Sequence, residues 1–190
     1  MPSQAPPGDG EKPIPLLILG LGNLLLGDDG LGAVAVHLLT RWYQVPDGVT
    51  VLDGGTLGLA LLPYLEDAEA AILVDAIRAD GPPGGFVRIT GDEVAPAVAT
   101  RLSPHQIGVT DLLDGARWHH RYPQTLVLLG LVPARLELGV KRSPAVEAAL
   151  PGLVDRVVGE AAALGFPFTR RASDASASPG PLDPAAVYGL

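Results

Sequence analysis

Five short apolar runs separated by helical patterns constrain this 190-residue chain more than any other feature. Residues 16–19, 49–52, 71–74, 86–90 and 125–131 read as strands, the first of them too short for a surface helix and apolar enough to be buried on both faces. Between the first two runs the spacing turns helical, with Leu31, Val34, Leu38, Leu39 and Trp42 along a single stripe. Strands alternating with helices are the signature of an α/β fold with a parallel or mostly parallel sheet flanked by helices.

Further helices are expected over residues 58–65, from Ser103-Pro104-His105-Gln106, and from Ser143-Pro144 to about residue 164. In the third, Ser103 can cap, Pro104 suits the first helical position and Gln106 completes a capping box. In the last, Pro151-Gly152 is expected to kink or split the helix. The segment ADGPPGG, residues 79–85, reads as a turn between a central strand and its neighbour. Residues 14–168 form one expected domain between a Pro- and Gly-rich tail at 1–13 and a polar tail at 169–190, both with little to bury.

Composition removes several classes of function. No apolar run approaches the roughly 18 residues that span a bilayer, so no membrane partner is expected. The opening MPSQAPPGDGEK lacks the basic start and apolar stretch of a secretory signal, which leads to an expectation of cytoplasmic location. With no cysteine, thiol proteases, thiolate metal sites and disulfide scaffolds are excluded. A net charge of -8 without a basic stripe argues against nucleic acid, and Lys141-Arg142 and Arg170-Arg171 read as isolated, solvated pairs. The acidic surface and self-contained fold lead to an expectation of a monomer.

The chemistry gathers at the ends of the strands. In LLILGLGNLLLGDDGLGA, residues 16–33, Gly20 and Gly22 turn the chain at the end of the first strand and bring Asp28 and Asp29 to its carboxyl end. In open α/β sheets that edge carries the ligand crevice. The turn is no dinucleotide fingerprint, because leucine stands where a third glycine is needed, and no phosphate-binding GxxxxGK[ST] follows. Acids at a helix start can serve the free amides, so one of the pair is expected to cap while the other faces the crevice. Asp75 ends the apolar strand AAILV, where a purely structural acid has little to do. Asp53 in VLDGGT holds a comparable place, with a turn-forming role as the plainer reading.

Among the four histidines, His37 lies within the first helix and His119-His120 in a polar linker, where structural or solvated roles are the simpler reading. His105, in the first turn of a helix, is kept neutral by the helix dipole and can donate a lone pair to a metal or accept a proton. Asp29, Asp75 and His105 together would offer two carboxylates and one imidazole, a donor set suited to a divalent transition metal with open positions. Serine chemistry has no support: no GxSxG occurs, and Ser103 and Ser143 read as helix caps. A water activated by a carboxylate or a metal is the better candidate.

Four motifs in this order, GLGNLLLGDDGLG, VLDGGT, ILVDAI and SPHQIG, resemble the maturation endopeptidases of nickel-iron hydrogenases, over nearly all of residues 16–164. The resemblance implies a three-layer sheet with helices on both faces, of the phosphorylase/hydrolase-like kind. It implies removal of a C-terminal extension from a hydrogenase large-subunit precursor after nickel insertion, by a metal-dependent or aspartic-type endopeptidase. It implies metal binding and catalysis by Asp29, Asp75 and His105, with nickel carried by the precursor and no organic cofactor. Asn23 and Asp53 fall within matching motifs. Residues 90–102 and 117–124 are the loops expected to carry specificity.

The GLGN opening is also similar to peptidyl-tRNA hydrolases, but the Pro-Gly that follows there and that family's catalytic histidine-asparagine pair are missing. A non-catalytic, nickel-dependent checkpoint chaperone of the same precursor would use the same three ligands, and only a shortened large subunit separates it from a protease.

Overall fold

Each of the five apolar runs forms a strand; the first three extend beyond their apolar cores and the last two match theirs. A computed structural model of the chain describes residues 13–99 and 104–172, with the side chains of 99 and 104–107 outside that description. Strands β1 (Ile14–Leu21), β3 (Val49–Gly55), β4 (Ala68–Ala76), β5 (Phe86–Thr90) and β6 (Thr125–Leu131) make one sheet in the order β3-β1-β4-β6-β5. The first four neighbours run parallel, and β5 joins β6 antiparallel at the edge. The turn at 79–85 therefore does not return the chain beside β4: it carries it past β6 to the far edge.

The pleat sorts one apolar run into two cores. Leu16 and Ile18 of β1 pack with α1 (Leu31–Trp42) and α5 (Pro144–Ala163) on one face. Leu17, Leu19 and Leu21 pack on the other with α2 (Leu62–Glu66), α3 (Val94–Ala99) and α4 (Pro104–Trp118). This is the mostly parallel sheet flanked by helices that the alternation of runs predicts, in the three layers that the resemblance implies. A short antiparallel pair, β2 (Tyr43–Gln44) with β7 (Thr169–Arg170), closes one side, so the segment expected as a tail from residue 169 begins with a strand. The rest of both expected tails, 1–12 and 173–190, lies outside the described residues.

Three local expectations need correction. α5 runs unbroken through Pro151, because Leu150, Leu153, Val154 and Val157 bury one continuous stripe that holds it against the sheet. Residues 91–99 are not a loop: a 3-10 turn, Gly91–Glu93, leads into α3, whose Val94 and Val98 are buried. The two basic pairs are not simply solvated, since Arg142 is 4% exposed and bonds Glu147 at 2.8 Å, and Arg171 donates to the Tyr43 carbonyl at 3.1 Å.

Candidate active site

The carboxyl ends of β1 and β4 meet under the first turn of α1, and glycines make that approach possible. A Cβ on Gly32 would stand 2.1 Å from the Val74 oxygen and 2.4 Å from that of Leu21, so only hydrogen there lets the helix press on both strand ends. At Gly22, with φ 117°, a Cβ would stand 1.9 Å from the Asp29 oxygen. The acidic turn Gly27–Gly30 is thereby packed against β4.

Asp29 and Asp75 are both fully buried at this edge. Burial of carboxylates is costly unless hydrogen bonds compensate it, and backbone N–H groups supply some of them. Asn23 N–H donates to Asp29 Oδ2 at 2.9 Å, while Asn23 Oδ1 accepts from Leu25 N–H at 2.9 Å, so the asparagine folds the turn that orients Asp29. Ala76 N–H donates to Asp75 Oδ1 at 2.7 Å. Across the ladder Asp75 faces Gly130, where a Cβ would stand 1.9 Å from the Asp75 oxygen. By alternation Asp75 shares the sheet face of Leu73 and Ile77, which pack in the α4 core. His105 lies in the first turn of α4, but its side chain is outside the described residues. Among the described residues no three histidine, aspartate or glutamate side chains gather as a metal site, so the two acids are seen without their expected third member.

Asp28 corrects the expectation of a capping acid. Neither the 3-10 turn nor α1 has a side-chain cap. Asp28, also fully buried, reaches across to the segment between β6 and α5. Its Oδ2 accepts from Ala134 N–H at 2.8 Å and Arg135 N–H at 3.2 Å, and its Oδ1 from Ser143 N–H at 2.6 Å. Ser143 in turn caps α5, accepting from Val146 N–H at 3.4 Å. Nothing in the spacing of these residues announces a carboxylate that anchors a loop more than a hundred positions away.

His37, for which the sequence suggests a structural or solvated role, has a partner in the fold. Its Nε2 lies 3.0 Å from Asp53 Oδ2 at the end of β3. Asp53 Oδ1 accepts from Gly55 N–H at 3.1 Å, the turn-forming role that its setting in VLDGGT suggests. Residues 117–124, expected to carry specificity, lie at the opposite edge, since they lead into the start of β6. There His119 pairs with Glu66 at 2.5 Å and Arg121 pairs with Asp67.

The chain and its fold are similar to known proteins. The family model described as "Hydrogenase maturation protease" matches residues 34–160, which hold Asp53, Asp75 and His105. The Hydrogenase 2 maturation protease of Escherichia coli is 38% identical over 144 residues, covering 75% of this chain and 88% of that protein. This chain belongs to the hydrogenase maturation protease family. Another relative of the family, the hydrogenase expression/formation protein HupD of Bradyrhizobium diazoefficiens, is 39% identical over 160 residues, 83% of each chain. In three dimensions the hydrogenase maturating endopeptidase HybD from E. coli superposes with a TM-score of 0.80 at 32% identity, covering 84% of this chain and 99% of that one. A hydrogenase 2 maturation peptidase from a Thaumarchaeota archaeon gives 0.61 at 34% identity, covering 79% and 99%. The maturation protease fold therefore extends over the described part of the chain, and none of its described helices is long and apolar enough to cross a membrane.

Proposed function

We propose that this chain is a cytoplasmic, monomeric endopeptidase that removes a C-terminal extension from a nickel-loaded hydrogenase large-subunit precursor. The observation that carries the reading is the burial of Asp29 and Asp75 at one sheet edge, one in the turn that leads into α1 and one near the end of β4. Two carboxylates sunk in a protein interior cost free energy that their partners must offset. A divalent cation brought by the substrate repays that cost.

In this reading nickel is part of the substrate, held by the precursor, and its presence is the permission signal for cleavage. Asp29, Asp75 and His105 offer it two oxygen donors and one imidazole nitrogen, a donor set that suits a divalent transition metal. Backbone N–H groups on Asp29 Oδ2 and Asp75 Oδ1 fix how the two carboxylates are presented. Peptide hydrolysis needs a polarised carbonyl and a water relieved of its proton. The docked metal supplies the first, and a carboxylate at the same edge accepts the proton.

The test mixes the purified chain with nickel-loaded and nickel-free precursor and weighs the products by mass spectrometry. Loss of a C-terminal peptide from the loaded sample alone is the expected result. Equal cleavage of both samples would assign activation of the water to the carboxylates without nickel. Binding of the loaded precursor with no loss of mass would make the chain a checkpoint chaperone.

A further inference from the structure

Large apolar side chains left in solvent are informative in a chain that buries most of its leucines. Among the described residues they are Leu25, Leu57, Leu59, Leu138, Val140 and Trp118. Four of the six stand on segments that leave the carboxyl edge of the sheet: Leu25 after β1, Leu57 after β3, and Leu138 and Val140 after β6. That is the edge of Asp29 and Asp75. Leu59 follows Leu57 by two residues, in the 3-10 turn Gly58–Leu61, while Trp118 ends α4 at the opposite edge.

The segment around Leu138 is held in place. A parallel bridge pairs Leu26 with Gly139: Gly27 N–H donates to the Gly139 oxygen at 2.6 Å, and Gly139 N–H to the Leu25 oxygen at 2.8 Å. The bridge sets the stretch from Leu25 beside the stretch from Leu138 to Val140. Asp28 clamps the same segment at both ends, through Ala134 and Arg135 before it and Ser143 after it. The result is an apolar lip, with Leu138 88% and Leu25 56% exposed, on the α1 and α5 side of the edge. Leu57, 60% exposed, stands on the other side, where Gly58 packs against Gly108 of α4. Both the lip and Leu57 stand at the sheet edge that carries the two buried acids.

We propose that this lip and Leu57 are the docking surface for the polypeptide substrate, gripping an extended segment with apolar side chains on both sides of the scissile bond. The proposal rests on the endopeptidase reading of the site. The occupant is the substrate and not a second copy of this chain, because these leucines share the sheet edge of Asp29 and Asp75, which a seated copy would cover. Leucines spread over three loops suit an extended peptide, whose alternate side chains reach opposite sides.

The test compares the full chain with Leu25→Asp together with Leu138→Asp, and with Trp118→Asp as the control at the opposite edge. All three side chains are exposed, and circular dichroism with a melting curve verifies that each variant is folded. Kd for nickel-loaded precursor and the kcat and KM of its cleavage are measured for each. Roughly tenfold or larger increases in Kd and KM are expected for the double variant, with kcat little changed and Trp118→Asp unaffected. Unchanged Kd and KM, or an equal loss in the control, would overturn the docking surface. A wild-type chain that binds without cutting would overturn the endopeptidase reading and leave docking judged on Kd. No binding by the wild type would overturn docking. A wild-type dimer in sedimentation velocity that the double variant disperses would assign the leucines to self-association instead.

Discussion

Ser143 donates its backbone N–H to Asp28 Oδ1 at 2.6 Å across 115 positions of sequence. This bond, with those from Ala134 and Arg135, makes Asp28 the post to which the β6–α5 segment is tied. Replacing Asp28 by Ala leaves the buried Ser143 N–H without its acceptor and loosens the segment. A loss of about 2–4 kcal/mol in urea unfolding is expected, together with a higher KM for precursor.

Asp29 and Asp75 call for isosteric substitution. Both are fully buried, so an alanine at either leaves a hole, and at Asp29 it also strands the Asn23 N–H at a cost of about 1–3 kcal/mol. Asp29→Asn and Asp75→Asn keep the shape, and His105→Ala alters a helix end. Each is expected to abolish processing by mass spectrometry while the circular dichroism spectrum stays native. A fully active triple variant would sink the assignment.

Gly130 is expected to tolerate no side chain. A Cβ there would stand 1.9 Å from the Asp75 oxygen and 2.7 Å from Ile77 side-chain carbons. The first obstacle is backbone, which cannot swing away as a side chain can. Gly130→Ala should lower stability by about 3 kcal/mol or more and displace Asp75, read as a fall in melting temperature and loss of cleavage.

Arg88 of β5 grips Glu160 of α5 with two bonds of 2.8 Å, and these hold the Glu160 carboxyl below its ordinary range. A carboxylate with a depressed folded pKa stabilises fully above its unfolded pKa and loses that contribution as pH falls through the folded value. Arg88 is 48% exposed, so solvent screens the pair to about 0.5–1 kcal/mol. Glu160→Gln should therefore melt roughly 1–4 °C below wild type at pH 7, with the gap closing as pH falls below about 4. A gap that persists at low pH would trace the loss to packing and not to charge.

Much of this protein is legible in order along the chain. The five strands, the stripe of α1 and the start of α5 at Pro144 follow from local spacing, because apolar period and turn chemistry act within a few residues. The placement of Asp29 and Asp75 at the carboxyl edge follows too, since the apolar runs fix where β1 and β4 end and the glycine turn leads on to Asp29. Which distant groups meet depends on the assembled sheet. Asp28 reads as a helix starter and is a loop anchor, because backbone amides of the β6–α5 segment come within reach of it only once the sheet orders β1, β4 and β6 side by side. His37 finds Asp53 for the same reason, and residues 117–124 fall away from the site because β6 starts at the opposite edge. Pro151 breaks nothing, since burial of the stripe around it outweighs one lost helical hydrogen bond. Local sequence sets the elements and the acids they carry; sheet order, a property of the whole chain, sets their partners.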